Sequence, residues 1–248
     1  MKLQNKVAIV TGAASGFGKG IAELYASEGA KVCVSDINGQ GARDVANSIG
    51  ERAIHVAADV SQQADVANMV AETVNAFGGV DIMVNNAGFT HRNQPMLDVD
   101  EEQFDRIFAV NVKAIYLAAK EVVPIMEQRG GGSIITTAST AGVRPRPGLV
   151  WYNSSKGAAI SMTKSMAIEL APKKIRVNAI NPVAGDTPML AQFMGEDTPE
   201  IREKFVSTIP LGRFSLPDDI ANVALFLADP ASDFLTGLAI EVDGGRCI

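Results

Sequence analysis

Tyr152 and Lys156 stand four residues apart in VWYNSSKGAAISMTKSMAIEL, residues 150–170. On a helix they are neighbours on one face. A phenol of pKa near 10 is a feeble acid or base at neutral pH, and an ammonium fixed beside it favours the phenolate. Lowering the phenol by about three units needs roughly 4 kcal/mol, within reach of a close, partly desolvated cation. Asn153, Ser154 and Ser155 are small and leave the approach open. A solvated surface pair would have the same spacing, so the pair needs company. Ser139, in TTASTAG, ends a strand-like run, and its hydroxyl could orient a carbonyl or alcohol against the tyrosine. Asn111 sits in a helix-like stretch between Val110 and Val112. There it either diverts a backbone carbonyl towards a proton-relaying water or is a satisfied buried amide.

Positioning these groups falls to short apolar runs separated by helix-length stretches. Strands are expected at 6–10, 31–36, 53–60, 80–86, 133–139, 175–181 and 238–243. Several are apolar on consecutive residues, as in a parallel sheet covered on both faces. Helices are expected near 16–28, 39–49, 62–77, 101–128, 152–171 and 217–228. The alternation predicts a single α/β domain over 1–248, a doubly wound, Rossmann-like sheet of about seven parallel strands with helices on both faces. The Gly-, Pro- and Met-containing stretch 183–216 has no clear strand, and a mobile substrate lid is expected within 186–214.

After the first strand comes TGAASGFGKG, with Gly12, Gly16 and Gly18. Glycines there let the backbone turn and approach a pyrophosphate, which the following helix N-terminus attracts. Strand two ends in Asp36, placed to accept from an adenosine ribose and to repel a 2′-phosphate. Two unit charges ~4 Å apart interact by roughly 4 kcal/mol at an intermediate dielectric. No Lys or Arg occurs in 13–17 or 37–41 to offset that, although Arg43 lies just beyond. NAD is therefore favoured over NADP. Asp59 and Val60 could meet an adenine, and Asn86, Ala87 and Gly88 at the end of strand four keep the surface low enough for a ribose.

These residues together resemble the short-chain dehydrogenase/reductase family over about residues 3–245. The loop Thr11-Gly12-x3-Gly16-x-Gly18, Asn85-Asn86-Ala87-Gly88, Asn111, Ser139 and Tyr152-x3-Lys156 occur in the family's order and spacing. The resemblance implies that Tyr152 is the general acid/base, Ser139 holds the reacting oxygen, Lys156 lowers the tyrosine pKa and binds ribose, and Asn111 supports a proton relay. It implies cofactor contacts from Ser15 and Phe17 in the loop, Ile37 beside Asp36, Val110, and Pro182 after strand six. It also implies a homotetramer. In NPVAGDTPM, Val183 replaces the family's usual glycine, and Gly185 stands where an amide meets the nicotinamide carboxamide, before Thr187.

Composition narrows the partners. Twenty-two basic against 28 acidic residues give a net charge of −6, without the basic stripe of a nucleic-acid binder. No run reaches the ~18 apolar residues of a membrane span, and the N-terminus lacks a secretory h-region. Two distant cysteines, Cys33 and Cys247, make no disulfide framework, so a cytoplasmic protein is expected. No metal site is expected. His91, Arg92, Arg144, Arg146 and Trp151 fall in the segments expected to surround the reacting carbon. They suggest a small polar or anionic secondary alcohol or ketone: a sugar, hydroxy acid or cyclic diol. Pairing of those arginines with carboxylates, or exposure to solvent, would leave the same sequence. A 3-oxoacyl-[acyl-carrier-protein] reductase is the alternative, with Arg129 available to an acidic carrier and Pro172 weakening that patch. A catalytically silent dinucleotide-binding regulator fits less well with an intact Asn, Ser, Tyr and Lys set.

Overall fold

Successive residues of a strand face opposite sides of its sheet, and here both sides are covered. Ala8, Val10, Val32, Val34, Ile82 and Val84 join a core on one face. Ile9, Cys33, Met83 and Ile134 join a second core on the other. That is why these strands read as continuous apolar runs. The computed structural model describes residues 1–248. Its elements run β1 (Val7–Thr11), α1 (Gly16–Ser27), β2 (Lys31–Asp36), α2 (Gly39–Ile49), β3 (Ala53–Ala57), α3 (Gln63–Phe77) and β4 (Ile82–Asn85). There follow α4 (Glu101–Phe108), α5 (Ala114–Gln128), β5 (Gly132–Thr137), α6 (Val150–Leu170), β6 (Ile175–Pro182), α7 (Leu190–Met194), α8 (Pro199–Val206), α9 (Pro217–Ala228) and β7 (Ala239–Val242).

All seven strands are parallel, in the order β3-β2-β1-β4-β5-β6-β7. The order reverses between β1 and β4, and crevices at such switch points, beyond the strands' carboxyl ends, are where open α/β sheets bind ligands. Helices α1, α2 and α9 supply one core, while α3, α5 and the end of α6 supply the other. No helix is long and apolar enough to cross a membrane.

Three departures from the sequence expectation have local causes. The strand expected over 53–60 ends at Ala57, because the Asp59 carboxylate accepts from the Ser61 amide at 2.9 Å and its hydroxyl at 2.7 Å, forming a side-chain-held turn. The run expected to reach Ser139 ends at Thr137; Ser139 Oγ instead accepts from Ala141 N at 3.0 Å and caps a short 3₁₀ turn. The helix expected over 101–128 is broken by a π-helical turn, Ala109–Lys113, with Asn111 at its centre. Such turns occur frequently at functional sites.

Candidate active site

The carboxyl ends of β1, β4, β5 and β6 open into one cavity of about 520 Å³, within the range of small-molecule and cofactor sites. Its floor is a hydrogen-bonded latch. Thr11 Oγ1 donates to Val84 O at 3.2 Å and accepts from the Asn86 and Ala87 amides at 3.1 Å each. Asn86 Nδ2 donates back to Thr11 O at 2.9 Å and Gly12 O at 3.1 Å, while its Oδ1 accepts from Thr137 Oγ1 at 3.2 Å. One asparagine thereby ties β1, β4 and β5 together at the switch point.

The glycine loop lies on this latch. Gly12 has φ +64°, and a Cβ there would stand 2.8 Å from Ala87 Cα. Gly12, Ser15, Gly16 and Phe17 line the cavity. Gly18 does not. It lies behind the loop, where an added Cβ would meet Gly12 O at 2.2 Å and Asn86 Nδ2 at 2.5 Å. Expected as a cofactor contact, Gly18 is placed instead as the point of closest approach between α1 and the loop, because only a hydrogen fits there.

At the far end, Asp36 and Ile37 line the cavity beside Asp59 and Val60. The Asp36 carboxylate accepts from Ala14 N at 3.0 Å and Asn38 N at 2.9 Å, which holds it in place with lone pairs to spare. Arg43 is turned away, its Nε donating to His55 Nε2 at 3.2 Å. Nearer the middle, Ala87, Gly88, Val110, Pro182, Gly185 and Thr187 all line the cavity. Despite Val183 in the glycine's place, Thr187 N donates to Gly185 O at 2.8 Å and Gly185 bridges Ser215. Val183 is itself buried among Leu190, Phe193 and Phe205. Gly185 packs on the Phe17 ring, whose Cζ a Cβ would meet at 2.2 Å. A dinucleotide fits this outline: a glycine-rich phosphate loop, a carboxylate at the ribose end and a flat glycine-alanine floor between.

Ser139, Tyr152 and Lys156 line the same cavity. Tyr152 and Lys156 are 6% and 5% exposed, so neither is a solvated surface group. Lys156 Nζ lies 5.8 Å from the Tyr152 ring centre and donates to Thr137 O at 2.8 Å. Asn111 stands just behind. Its Oδ1 accepts from Phe89 N, and its Nδ2 donates to Phe89 O and Ser155 Oγ, all at 2.9 Å. Its amide is therefore satisfied, and it pins the segment after Gly88 to α6. Beside Asn111 and Lys156 lies a second void of about 10 Å³, onto which Asn85 and Thr136 also face. Asn85 Nδ2 and Thr136 Oγ1 are buried without partners, and a void of this size is at the lower limit for one water.

One electrostatic expectation is reversed. Burial pushes the Tyr152 phenol up to about 12, with the Ser139 side chain pulling the other way. Burial likewise pushes Lys156 down to about 8. Among the protein's own groups, desolvation outweighs any help the ammonium offers the phenolate.

None of the five expected substrate residues lines the cavity. His91 is buried, with Nδ1 donating to Arg92 O at 2.7 Å. Arg92 Nε donates to Gly195 O at 3.1 Å, and Nη2 lies 4.0 Å from Glu196. Trp151 Nε1 donates to Met96 O at 3.1 Å, its ring edge-on to Phe104. Arg146 lies behind Phe193, its Cζ 4.7 Å from that ring, and the exposed Arg144 donates to the Arg246 carbonyl. The wall facing Tyr152 is apolar instead, made by Met189, Leu190 and Phe193. Phe193 meets the tyrosine ring edge-on at 5.8 Å. Phe89 and Arg106 also line the cavity, the guanidinium 4.4 Å from the ring. Sequence reasoning named none of these residues individually, although Met189, Leu190 and Phe193 fall within the lid expected over 186–214 and Phe89 opens the segment after Gly88.

A family model described as enoyl-(acyl carrier protein) reductase matches residues 12–246. A 4-formylbenzenesulfonate dehydrogenase from Comamonas testosteroni is 51% identical over the whole of both chains. A 3-oxoacyl-[acyl-carrier-protein] reductase from Thermotoga maritima is 38% identical, also over the whole of both. The crystal structure of a 3-ketoacyl-(acyl-carrier-protein) reductase from Brucella melitensis complexed with NADH superposes with TM-score 0.94 at 48% identity, covering 99% of this chain and 100% of that one.

Proposed function

Because the chain belongs to the short-chain dehydrogenase/reductase family, we propose that this oxidoreductase uses NAD to interconvert a small polar or anionic alcohol, secondary or benzylic, and its carbonyl partner. The carrying observation is that Ser139, Tyr152 and Lys156 open onto the same cavity as the glycine loop and Asp36. A reacting carbon can therefore lie between the tyrosine and a bound nicotinamide.

The loop amides from Gly12 to Phe17 would hold the pyrophosphate, Asp36 the adenosine ribose, Lys156 the second ribose, and Gly185 and Thr187 the nicotinamide end. When bound, NAD supplies a two-electron acceptor and a positive ring. That charge opposes the upward push of burial on Tyr152. Tyr152 Oη takes the proton of the substrate hydroxyl during oxidation and returns it during reduction. Ser139 Oγ, fixed by the Ala141 amide, holds the reacting oxygen. Lys156, anchored on Thr137 O, steadies the phenolate, and the small void by Asn111 and Lys156 would admit one water to receive its proton. Helix α7 carries the apolar wall over the site, and Phe205 of α8 packs behind it.

Asp36 supports NAD over NADP, since no cation is turned towards it. The carrier-protein reading is weaker: Arg129 is held by Asp81 through two bonds of 3.1 Å and is not free for an acidic partner. Ile168 on α6 is 81% exposed and Tyr116 on α5 53%, apolar surface that further copies would cover in a tetramer; light scattering checks the mass. The activity is tested by following NADH absorbance with a panel of neutral and anionic alcohols. Tyr152→Phe should bind NADH normally yet lose turnover by a factor on the order of 10²–10⁴. Normal turnover by Tyr152→Phe would rule this mechanism out.

A further inference from the structure

Behind the Phe193 wall the fold assembles three like charges. Arg144 and Arg146 come from the loop before α6, and Arg246 from the segment after β7. Arg146 Cζ lies 4.7 Å from both the Phe193 and Phe205 ring centres, and Arg246 Cζ lies 5.0 Å from that of Phe205. Arg144 Nη1 donates to the Arg246 carbonyl, and Arg246 Nη1 donates to Thr208 Oγ1 at 2.6 Å. None of the three takes part in an ion pair of the chain. The neighbouring carboxylate, Asp243, accepts from the Gly245 and Cys247 amides. Arg146 Nη1 is buried with no partner. Burial and the proximity of Arg246 push Arg146 down to about 10.

Stacking on two phenyl rings covers the faces of the Arg146 guanidinium but leaves its donor edge unanswered. With Asp243 accepting from backbone amides, holding the half-buried Arg146 and Arg246 together outside any ion pair is unfavourable unless an anion completes the set. The cluster is also close to the chemistry. The Tyr152 and Phe193 ring centres are 5.8 Å apart and Arg146 Cζ is 4.7 Å from Phe193, so the guanidinium lies at most about 10.5 Å from the tyrosine ring. A single aromatic or short aliphatic spacer between a carbonyl and an acid group covers such a span.

We infer that Arg144, Arg146 and Arg246 form an anion site that holds the carboxylate or sulfonate end of the substrate, past the edge of Phe193, while its carbonyl end lies at Tyr152. This deepens the proposed function and rests on it for the identity of the reacting end.

The test is calorimetric titration of the full chain with saturating NADH, using benzoate and benzyl alcohol as probes, with wild type, Arg146→Met and Arg246→Met. Methionine keeps an apolar stem on the phenyl rings and removes the charge. Benzoate Kd should rise at least tenfold in each variant, and benzoate-to-benzyl alcohol selectivity should fall by the same factor. Equal losses for both probes would show a packing role only and overturn the site, as would an unchanged benzoate Kd. Inorganic sulfate should compete with benzoate; sulfate that binds through the arginines together with benzoate would show a separate anion site and also overturn the assignment to substrate. Should Arg146→Met not fold, Arg246→Met and the sulfate competition on wild type still decide. NADH consumption with 4-carboxybenzaldehyde and benzaldehyde separates the two readings. Arginine-dependent benzoate binding without turnover of either aldehyde leaves the site standing and retires the oxidoreductase proposal. Turnover of both with arginine-independent KM does the reverse.

Discussion

Replacing Lys156 by methionine tests how strongly the fold desolvates its ammonium. In the folded protein the group is pushed by burial from 10.5 to about 8. Below pH 8 both folded and unfolded chains carry the proton, and the folded state bears the full penalty. Between about 8 and 10.5 the folded chain has released the proton while the unfolded chain still holds it. Stability contributed through this group therefore rises with pH across that window. Integrated from pH 7 to 10, the rise is roughly 2–3 kcal/mol. The Lys156→Met variant lacks this rise. It also strands the Thr137 carbonyl, which now accepts from Nζ at 2.8 Å, but that loss of about 1–3 kcal/mol does not vary with pH. Cys33, pushed up to about 12 by burial, and the buried phenols titrate alike in both proteins and cancel. Urea unfolding followed by Trp151 fluorescence at pH 7 and 10 measures the effect. The difference in unfolding free energy, wild type minus variant, should become more positive by roughly 2–3 kcal/mol at the higher pH. A difference that stays constant, or moves the other way, would show that Lys156 is not desolvated as described.

Gly18→Ala should lower unfolding free energy by roughly 3 kcal/mol, because its Cβ would drive α1 off Gly12 O and Asn86 Nδ2. Differential scanning calorimetry should show a Tm drop of roughly 6–12 °C, and an unchanged Tm would contradict the close approach. Asp36→Ala should narrow the ratio of NADP to NAD dissociation constants at least tenfold without abolishing NADH binding. Fluorescence titration with both reduced cofactors reads this, and a ratio unmoved by the substitution would remove Asp36 from discrimination. Tyr152→Phe, retaining NADH binding while losing turnover, completes the set.

Short-range regularities made the architecture legible. Apolar β-branched runs, helix-length intervals and a glycine loop after the first strand are local, and each strand begins and ends within a few residues of where they point. The deviations are local too, but depend on side chains competing with the backbone, as at Asp59, Ser139 and the π turn around Asn111. Most of the cavity lining was also readable, because a parallel sheet brings every strand's carboxyl end to one edge. Gly18 was the exception, since whether a glycine faces a ligand or a neighbouring backbone depends on how α1 packs.

Sequence alone thus determined the sheet, its ligand-binding edge and the membership of Ser139, Tyr152 and Lys156 in one crevice, since strand ends and helical spacing follow from nearby residues. Tertiary structure decided the sign of the tyrosine's shift, because burial is a property of everything packed around the ring. It also decided where the arginines went: Arg146 lies behind Phe193 and Arg144 meets Arg246, a juxtaposition of segments about one hundred residues apart that no local pattern encodes.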